Sequence, residues 1–338
     1  MLSRQLVCAL AAALIAADVP RLFAAPATQP SSTPSTPGLE SDLFAANPIL
    51  VLDDDDDDNA KPAKSPNSNE TSGRYFLGLL DHRSSYGKDF FPDPFLGPEF
   101  DSEQQIELDY AHADKRGVRD DEIDAGFQWN VIGELTVAGE FGWDSEHRAS
   151  TPGSSDGGDE DAGGSGFENV DLAAYHPVFQ YVSQDAVVDY TAAARLDVGV
   201  PTRTPVSGDD AQLTPYLGQL LRIGEHVSIE AWTGAQFTIA PREVNQLIYG
   251  ALLGYELSHD QLPVPLTQRI TPNLEFDGQS PFSGGGQDAL FGVAGVDINL
   301  KPIGEVQPTL QVGYEFPVDQ GARDQLHWGI LAEFMFEF

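Results

Sequence analysis

The carboxyl-terminal stretch LHWGILAEFMFEF, residues 326–338, alternates between apolar and mixed side chains along its whole length. One face is apolar and ends in Phe338, whereas the other face carries Glu333 and Glu337. A period of two residues is that of a β-strand whose two faces meet different surroundings. The stretch therefore predicts a strand with an apolar neighbour on one side, in a chain that carries 53 Asp plus Glu and a formal charge of −35.

The same alternation recurs throughout residues 103–338. Each run has about the 9–11 residues that a tilted strand needs to cross a bilayer. Twelve such runs are present, at 104–112, 122–131, 135–145, 168–177, 187–199, 211–221, 227–239, 246–257, 267–277, 289–300, 307–317 and 326–338, and the sixth fits neither phase cleanly. An even number of strands returns both chain ends to one side of the membrane. The sequence therefore predicts an all-β fold, a transmembrane antiparallel up-and-down β-barrel of about twelve strands.

The connections between these strands alternate in length. Tight turns that contain Gly follow strands two, six and ten, whereas long Gly- and Ser-rich connections at 150–166 and 277–288 follow strands three and nine. Short periplasmic turns and longer outer loops are typical of outer-membrane barrels. A soluble barrel with its apolar face inward also alternates and is the alternative. Strand length, turn length, two bands of aromatic residues and the terminal Phe338 favour the membrane.

The amino-terminal third has a different composition. Residues 1–27, with an apolar run after Arg4, predict a secretory signal peptide and export to the envelope of a Gram-negative-type bacterium. Residues 28–72, which include six consecutive aspartates, predict a disordered acidic leader. Residues 73–102 are rich in aromatic residues and proline and predict a lid, a plug or an extra strand. The barrel itself is assigned to residues 103–338.

If the apolar residues face lipid, the alternate residues line the lumen. The lumen-lining candidates are Glu107, Asp109, Asp124, Glu140, Asp171, Asp189, Arg195, Asp197, Glu230, Glu256, Arg269, Glu275, Asp297, Glu315 and Glu333. Rings of carboxylates in a pore favour cations over anions. The alternative is that many of these acids pair across strands and fill a narrow barrel.

Two carboxyl-terminal stretches carry a family resemblance. FGVAGVDINLKPIGEVQPTLQVGYEFPV at 291–318 and DQLHWGILAEFMFEF at 324–338 resemble the outer-membrane barrels of the family named for a MetA pathway of phenol degradation. The resemblance implies a channel or transporter for small organic compounds. The ending EFMFEF also resembles the signal that outer-membrane assembly machinery recognises. The residues expected to form this signal are Trp328, Phe334, Phe336 and Phe338.

The expected function is passage of small solutes, cationic or neutral rather than anionic, and the alternative is a non-conducting structural or adhesive barrel. A charge of −35 argues against nucleic acid as a partner. No catalytic residue, cofactor or metal site is expected, because no metal-binding or nucleophile motif occurs. A hydrolase would require His112 and His147 to gather with Asp114, Asp144 and Glu146 at the outer mouth.

Overall fold

The computed structural model of the chain describes residues 73–76, 91–100, 104–115, 118–132, 134–148, 164–183, 187–204, 211–239, 245–282 and 287–338. The predicted signal peptide, the acidic leader and most of the connection at 150–166 lie outside the described residues. The boundaries given to these segments stay predictions.

Twelve long strands form one antiparallel sheet and follow the alternation read from the sequence. They are β1 (Gln105–Lys115), β2 (Val118–Ile132), β3 (Leu135–Arg148), β4 (Ser165–Val182), β5 (Val188–Val200), β6 (Gln212–Ile223), β7 (Val227–Thr238), β8 (Gln246–Tyr255), β9 (Thr267–Pro281), β10 (Ala289–Leu300), β11 (Gln307–Pro317) and β12 (Trp328–Glu337). All twelve predicted strands are confirmed, and β2, β3, β4 and β9 are at least three residues longer than predicted.

The sheet closes on itself. Each strand pairs with the next, and β12 pairs with β1, so that Glu333 lies opposite Asp109. The pairing continues to the end of the chain, where the Phe338 amide donates to the carbonyl of Gln104 at 2.9 Å. Closure removes the two free edges that an open sheet would present. The predicted twelve-stranded barrel is therefore confirmed.

The barrel turns its large apolar side chains outward. Ile106 of β1 lies opposite Phe127 of β2, and these side chains are 48% and 44% exposed. The neighbouring residues Gln105 and Gln128 also lie opposite each other. Both of these polar side chains are buried inside the barrel. A soluble barrel would have the opposite arrangement, with apolar residues inside and polar residues outside.

Two irregularities in β4 change which of its residues face inward. The pairing of β4 with β3 shifts between Phe141 and Trp143, and its pairing with β5 shifts between Pro177 and Phe179. An extra residue in one strand of a pair reverses the alternation beyond it. Glu168 and Asp171 therefore both lie on the inward face, although three positions separate them.

Two shorter elements accompany the barrel strands. Leu257–Ser258 pairs with β9, and the helix α1 (Gln320–Gln325) precedes β12. Helix α1 begins after Asp319, whose carboxylate accepts a hydrogen bond from the Ala322 amide at 2.8 Å. Among the described residues, no helix has the length and apolar character needed to cross a membrane.

Residues 91–100, which we call the luminal segment, lie inside the barrel. Phe91 and Phe100 form a buried cluster with side chains of four consecutive strands, namely Ala193 of β5, Leu220 of β6, Trp232 of β7 and Leu252 of β8. Upstream of this segment, Gly73–Phe76 adds a short antiparallel strand beside the end of β4. The luminal segment thus precedes all twelve barrel strands in the chain.

Candidate functional site: the barrel lumen

A single buried carboxylate anchors the luminal segment. Glu275 of β9 is fully buried, and its oxygens accept the backbone amides of Phe95 at 2.6 Å and of Leu96 and Gly97 at 3.0 Å each. Hydrogen bonds to a charged acceptor are the strong ones in proteins. Three consecutive amides that converge on one carboxylate hold the middle of the segment against β9.

Side chains from three other strands bind the two ends of the segment. The Arg195 guanidinium of β5 donates to the Glu99 carbonyl at 2.7 Å. The Gln105 amide of β1 donates to both oxygens of the Glu99 carboxylate, at 3.1 and 3.2 Å. At the other end, the Gln311 amide of β11 donates to the Asp93 carbonyl at 3.3 Å. The segment is therefore tied to strands on several sides of the lumen.

The inward faces of β6–β10, which we call the packed wall, match the shape of the luminal segment. A Cβ atom at Gly218 of β6 would overlap the ring of Phe100, and one at Gly295 of β10 would overlap the ring of Phe95. Phe100 also meets Tyr216 edge to face, with ring centroids 6.5 Å apart. This packing explains why β6 fits neither phase cleanly: Leu220 is buried inside the barrel, whereas Leu217 faces outward.

The opposite side of the lumen remains open as a cavity of about 640 Å³. It lies between the luminal segment and the inward faces of β1–β5 and β12, which we call the acidic wall. Eleven carboxylates line the cavity, those of Glu99, Glu107, Asp109, Asp120, Glu122, Asp124, Glu140, Asp171, Asp197, Glu315 and Glu333. Lys115 and Arg195 are the two cationic side chains among its described lining residues.

Both cations are already paired. Arg195 donates to Asp197 through Nε at 2.7 Å and lies over the Tyr175 ring, 5.6 Å from its centroid. Lys115 forms an ion pair with Asp120. Among the described lining residues, eleven acids therefore stand against two cations that are already paired, which makes acidic side chains the dominant polar groups of the cavity.

A second void lies at the other end of the luminal segment and is almost filled. Its volume is about 10 Å³, and Phe91, Pro92 and Asp93 form part of its lining. Glu256 there bridges two arginines, with Oε2 at 2.8 Å from Arg222 and 3.3 Å from Arg269. A void of this size holds about one water molecule. The segment and the Glu256 ion pairs thus fill most of the space around this void.

All fifteen lumen-lining candidates lie on the inward face of the barrel, but the structure divides them. Nine line the cavity, namely Glu107, Asp109, Asp124, Glu140, Asp171, Arg195, Asp197, Glu315 and Glu333. Glu256, Arg269 and Asp297 line the second void. The remaining three are buried elsewhere: Glu275 anchors the luminal segment, Asp189 accepts from Gln180 at 3.2 Å, and Glu230 lies on β7.

Several charged residues of the lumen are not among the fifteen candidates predicted from the sequence. Asp120 and Glu122 continue the phase of Asp124 towards the start of β2, so extending that alternation would have found them. Glu168 lies within an irregularity of β4, which no periodic pattern reveals. Glu99 lies in the luminal segment, whose sequence has no strand periodicity.

The predicted assembly residues lie on the outward face at the end of the chain. Trp328, Phe334, Phe336 and Phe338 alternate with inward residues, and the rings of Phe334 and Phe336 are 4.6 Å apart. Phe338 is 49% exposed. Their role as an assembly signal stays a prediction.

The side chains that a hydrolase would require lie on different faces of the barrel. His112 bonds Asp121 at 2.8 Å on the outward face, where His147 lies 3.4 Å from Ser145. Asp144 and Glu146, in contrast, belong to an inward carboxylate cluster. The histidines and these acids therefore do not form one site.

No protein-family model and no curated protein matches the chain. Among solved structures, an outer membrane channel from Pseudomonas putida F1 is 14% identical, with 73% of this chain and 100% of that chain covered and a TM-score of 0.46. The NanC porin is 6% identical, with coverages of 69% and 98% and a TM-score of 0.41. The KdgM porin is 13% identical, with coverages of 69% and 99% and a TM-score of 0.37. The resemblance to the phenol-degradation family stays a prediction.

Proposed function

We propose that the chain is an outer-membrane channel that passes small cationic or neutral solutes. The observation that carries this proposal is the cavity of about 640 Å³, which is lined by eleven carboxylates and two paired cations. Cavities that hold small molecules measure about 300–1,000 Å³. Carboxylates that line a pore attract cations and repel anions. The family resemblance adds small organic compounds as the solute class.

The outward face of the barrel supports a location in the bacterial outer membrane. Large apolar side chains cover this face, and aromatic rings cluster near both ends of β2 and β3. Trp129 meets Phe338 at 6.4 Å near one end, and Trp143 meets Phe167 at 5.0 Å near the other. Two aromatic bands around an apolar belt are typical of barrels in lipid, because amphipathic rings favour the two interfaces.

Ion selectivity in planar lipid bilayers tests the channel proposal. Under a KCl gradient, we expect the reversal potential of the full chain to show preference for K⁺ over Cl⁻. The double variant Glu107→Gln/Glu333→Gln removes two adjacent acids of the cavity and should reduce this preference severalfold. The variant Asp260→Asn/Glu305→Gln removes two exposed acids from connections and serves as the control of equal charge. Preference for Cl⁻, or equal shifts in both double variants, would overturn the proposal.

The second candidate is a non-conducting barrel that presents an acidic outer connection. The luminal segment and the nearly filled second void favour this candidate, because together they fill part of the lumen. The same recordings separate the two candidates, since a non-conducting barrel gives no current in the full chain. A tag placed within residues 150–166 should then be accessible at the surface of intact cells.

Insertion by the barrel assembly machinery is the second part of the proposal. The chain ends in an outward aromatic residue, and its last amide pairs with Gln104 beside β1. Deletion of Phe338 should lower the amount of folded barrel in the outer membrane severalfold, whereas molecules that do assemble should conduct normally. Normal assembly of the truncated chain would contradict the role given to Phe338.

A further inference from the structure

The luminal segment presents one exposed apolar side chain inside the barrel. Leu96 is 39% exposed, and every other residue of 91–100 is buried or half-buried. Leu96 lines the cavity of about 640 Å³ together with Pro94 and Pro98 of the same segment. More than a third of the Leu96 surface is therefore open to whatever occupies the cavity.

The neighbours of Leu96 are turned towards the packed wall. The ring of Phe95 lies against Gly295 of β10, where a Cβ atom would overlap it. A Cβ atom at Gly97 would overlap the ring of Trp232 of β7. The segment is thus held in place by the residues on either side of Leu96, whereas Leu96 itself faces open space.

The backbone of residues 94–98 has no hydrogen-bond donor left for a solute. Pro94 and Pro98 have no N–H group. The amides of Phe95, Leu96 and Gly97 all donate to Glu275. The segment therefore borders the cavity with apolar side chains and without a free backbone N–H, so an anionic solute finds no backbone donor there.

Acidic side chains lie across the cavity from this apolar surface. Asp109 of β1, Glu140 of β3 and Glu333 of β12 are three of the carboxyl groups that line the acidic wall. Carboxyl oxygens accept hydrogen bonds, and an ammonium group has only donors. The cavity thus combines hydrogen-bond acceptors on one side with an apolar surface on the other.

We propose that the cavity prefers amphipathic organic ammonium ions, with the apolar part of the ion against Leu96 and the ammonium group against the acidic wall. This inference rests on the channel function proposed above and adds the class of solute that the cavity binds best. An inorganic cation interacts with the acidic wall alone. Contact with Leu96 that removes about 40 Å² of apolar surface from water corresponds to about fivefold tighter binding.

Block of the K⁺ current by two organic cations in planar bilayers at pH 7 tests the inference. The probes are benzylammonium and the Tris cation, which have the same charge and the same number of non-hydrogen atoms. Benzylammonium carries an apolar ring, whereas the Tris cation carries hydroxyl groups. In the unmodified chain, we expect half-maximal block by benzylammonium at an about fivefold lower concentration than by Tris.

Variants at two positions separate the apolar contact from the acidic one. Leu96→Asn keeps the approximate size of the side chain but makes it polar, so the fivefold difference should disappear. Leu96→Met stays apolar and should keep the difference, which makes it the matched control. Glu107→Gln/Glu333→Gln should weaken block by both cations to a similar extent, because the change concerns the ammonium group that they share.

Folding of each variant is checked by its heat-dependent shift in gel mobility, and Leu96→Ala replaces Leu96→Asn if the latter does not fold. Equal block by the two cations in the unmodified chain, or a difference that persists in Leu96→Asn, would overturn the inference. The channel proposal would survive either result, because the K⁺ preference of the current is measured without the probes. Absence of a K⁺ current would overturn both proposals together, so the two failures are distinguishable.

Discussion

The packed wall and the acidic wall lie on opposite sides of one lumen. The packed wall is filled by contacts with the luminal segment, whereas the acidic wall borders an open cavity. On the packed wall, the aromatic rings of the luminal segment pack against glycines and apolar side chains, and Leu220 is completely buried. On the acidic wall, carboxylates face an open cavity of about 640 Å³. One wall is stabilised by contact, whereas the other leaves space lined by a high concentration of acidic side chains.

This difference shows how a narrow barrel can be closed on one side and open on the other. A twelve-stranded barrel has an interior larger than side chains alone fill, yet smaller than that of a 16-stranded porin. The luminal segment occupies the part beside β6–β10, and its single carboxylate anchor on β9 sets how far it reaches into the lumen. The size of the open path therefore depends on contacts of the packed wall.

Removal of the Glu275 anchor on β9 should change the docking of the luminal segment more than any other substitution considered. Glu275→Ala leaves three amides of the luminal segment without their acceptor. Each unsatisfied buried group costs about 1–3 kcal/mol, so the free energy of unfolding should fall by about 3–5 kcal/mol after water restores part of the loss. Chemical denaturation followed by tryptophan fluorescence measures this change.

Released from its anchor, the luminal segment should also obstruct the lumen less. Single-channel conductance of Glu275→Ala should therefore exceed that of the unmodified chain. Glu275→Gln keeps the size of the side chain and one acceptor oxygen, so it serves as the matched control with a smaller effect. Unchanged stability and conductance in Glu275→Ala would show that the segment is held by other contacts.

The second largest loss of stability is expected from removing an apolar contact of the packed wall. Leu220→Ala removes a fully buried side chain beside Phe91 and Phe100. We expect a loss of about 2–3 kcal/mol, near the low end for buried leucine, because the luminal segment can shift into the space. Leu217→Ala on the same strand changes an outward residue that is 42% exposed and is the matched control. Equal losses in both variants, measured by denaturation, would contradict the assignment of a packed interior to β6.

The smallest effect is a dependence of segment docking on pH. Burial, followed by the nearby Glu107 carboxylate, raises the pKa of Glu99 well above its ordinary value, although Arg195 opposes the shift. Asp109 and Glu333 add to the negative charge around it. A raised pKa means that the docked segment favours the neutral acid. Docking should be strongest at low pH and weaken as pH rises above the ordinary glutamate pKa of about 4.3.

Protease protection of the luminal segment between pH 5 and pH 8 measures this dependence. Protection should decrease towards pH 8 in the unmodified chain. Glu99→Gln keeps the acceptor carbonyl and the side-chain size but cannot ionise, so its protection should change little over this range. An identical pH profile in the two proteins would exclude Glu99 as the titrating group.

Local periodicity predicted the barrel wall well. A strand with different surroundings on its two faces repeats every two residues, and this pattern needs no knowledge of distant contacts. The twelve strands and the tight turn at Gly304 follow from it. Gly304 has φ of +70°, the left-handed conformation that glycine adopts without strain. The pattern failed where β4 carries extra residues that reverse the phase, and it was ambiguous in β6, where Leu220 faces inward and Leu217 outward.

The sequence by itself therefore determined the wall of this protein, namely the number of strands and which face of each is apolar. Only the tertiary structure decided which part of that interior is filled. The luminal segment has no strand periodicity, and its anchor Glu275 lies 179 residues along the chain from Leu96. Contacts over such separations depend on closure of the barrel, because closure alone brings β1–β5 and β6–β10 to opposite sides of one lumen. The division into a packed wall and an acidic wall is a property of that closed sheet.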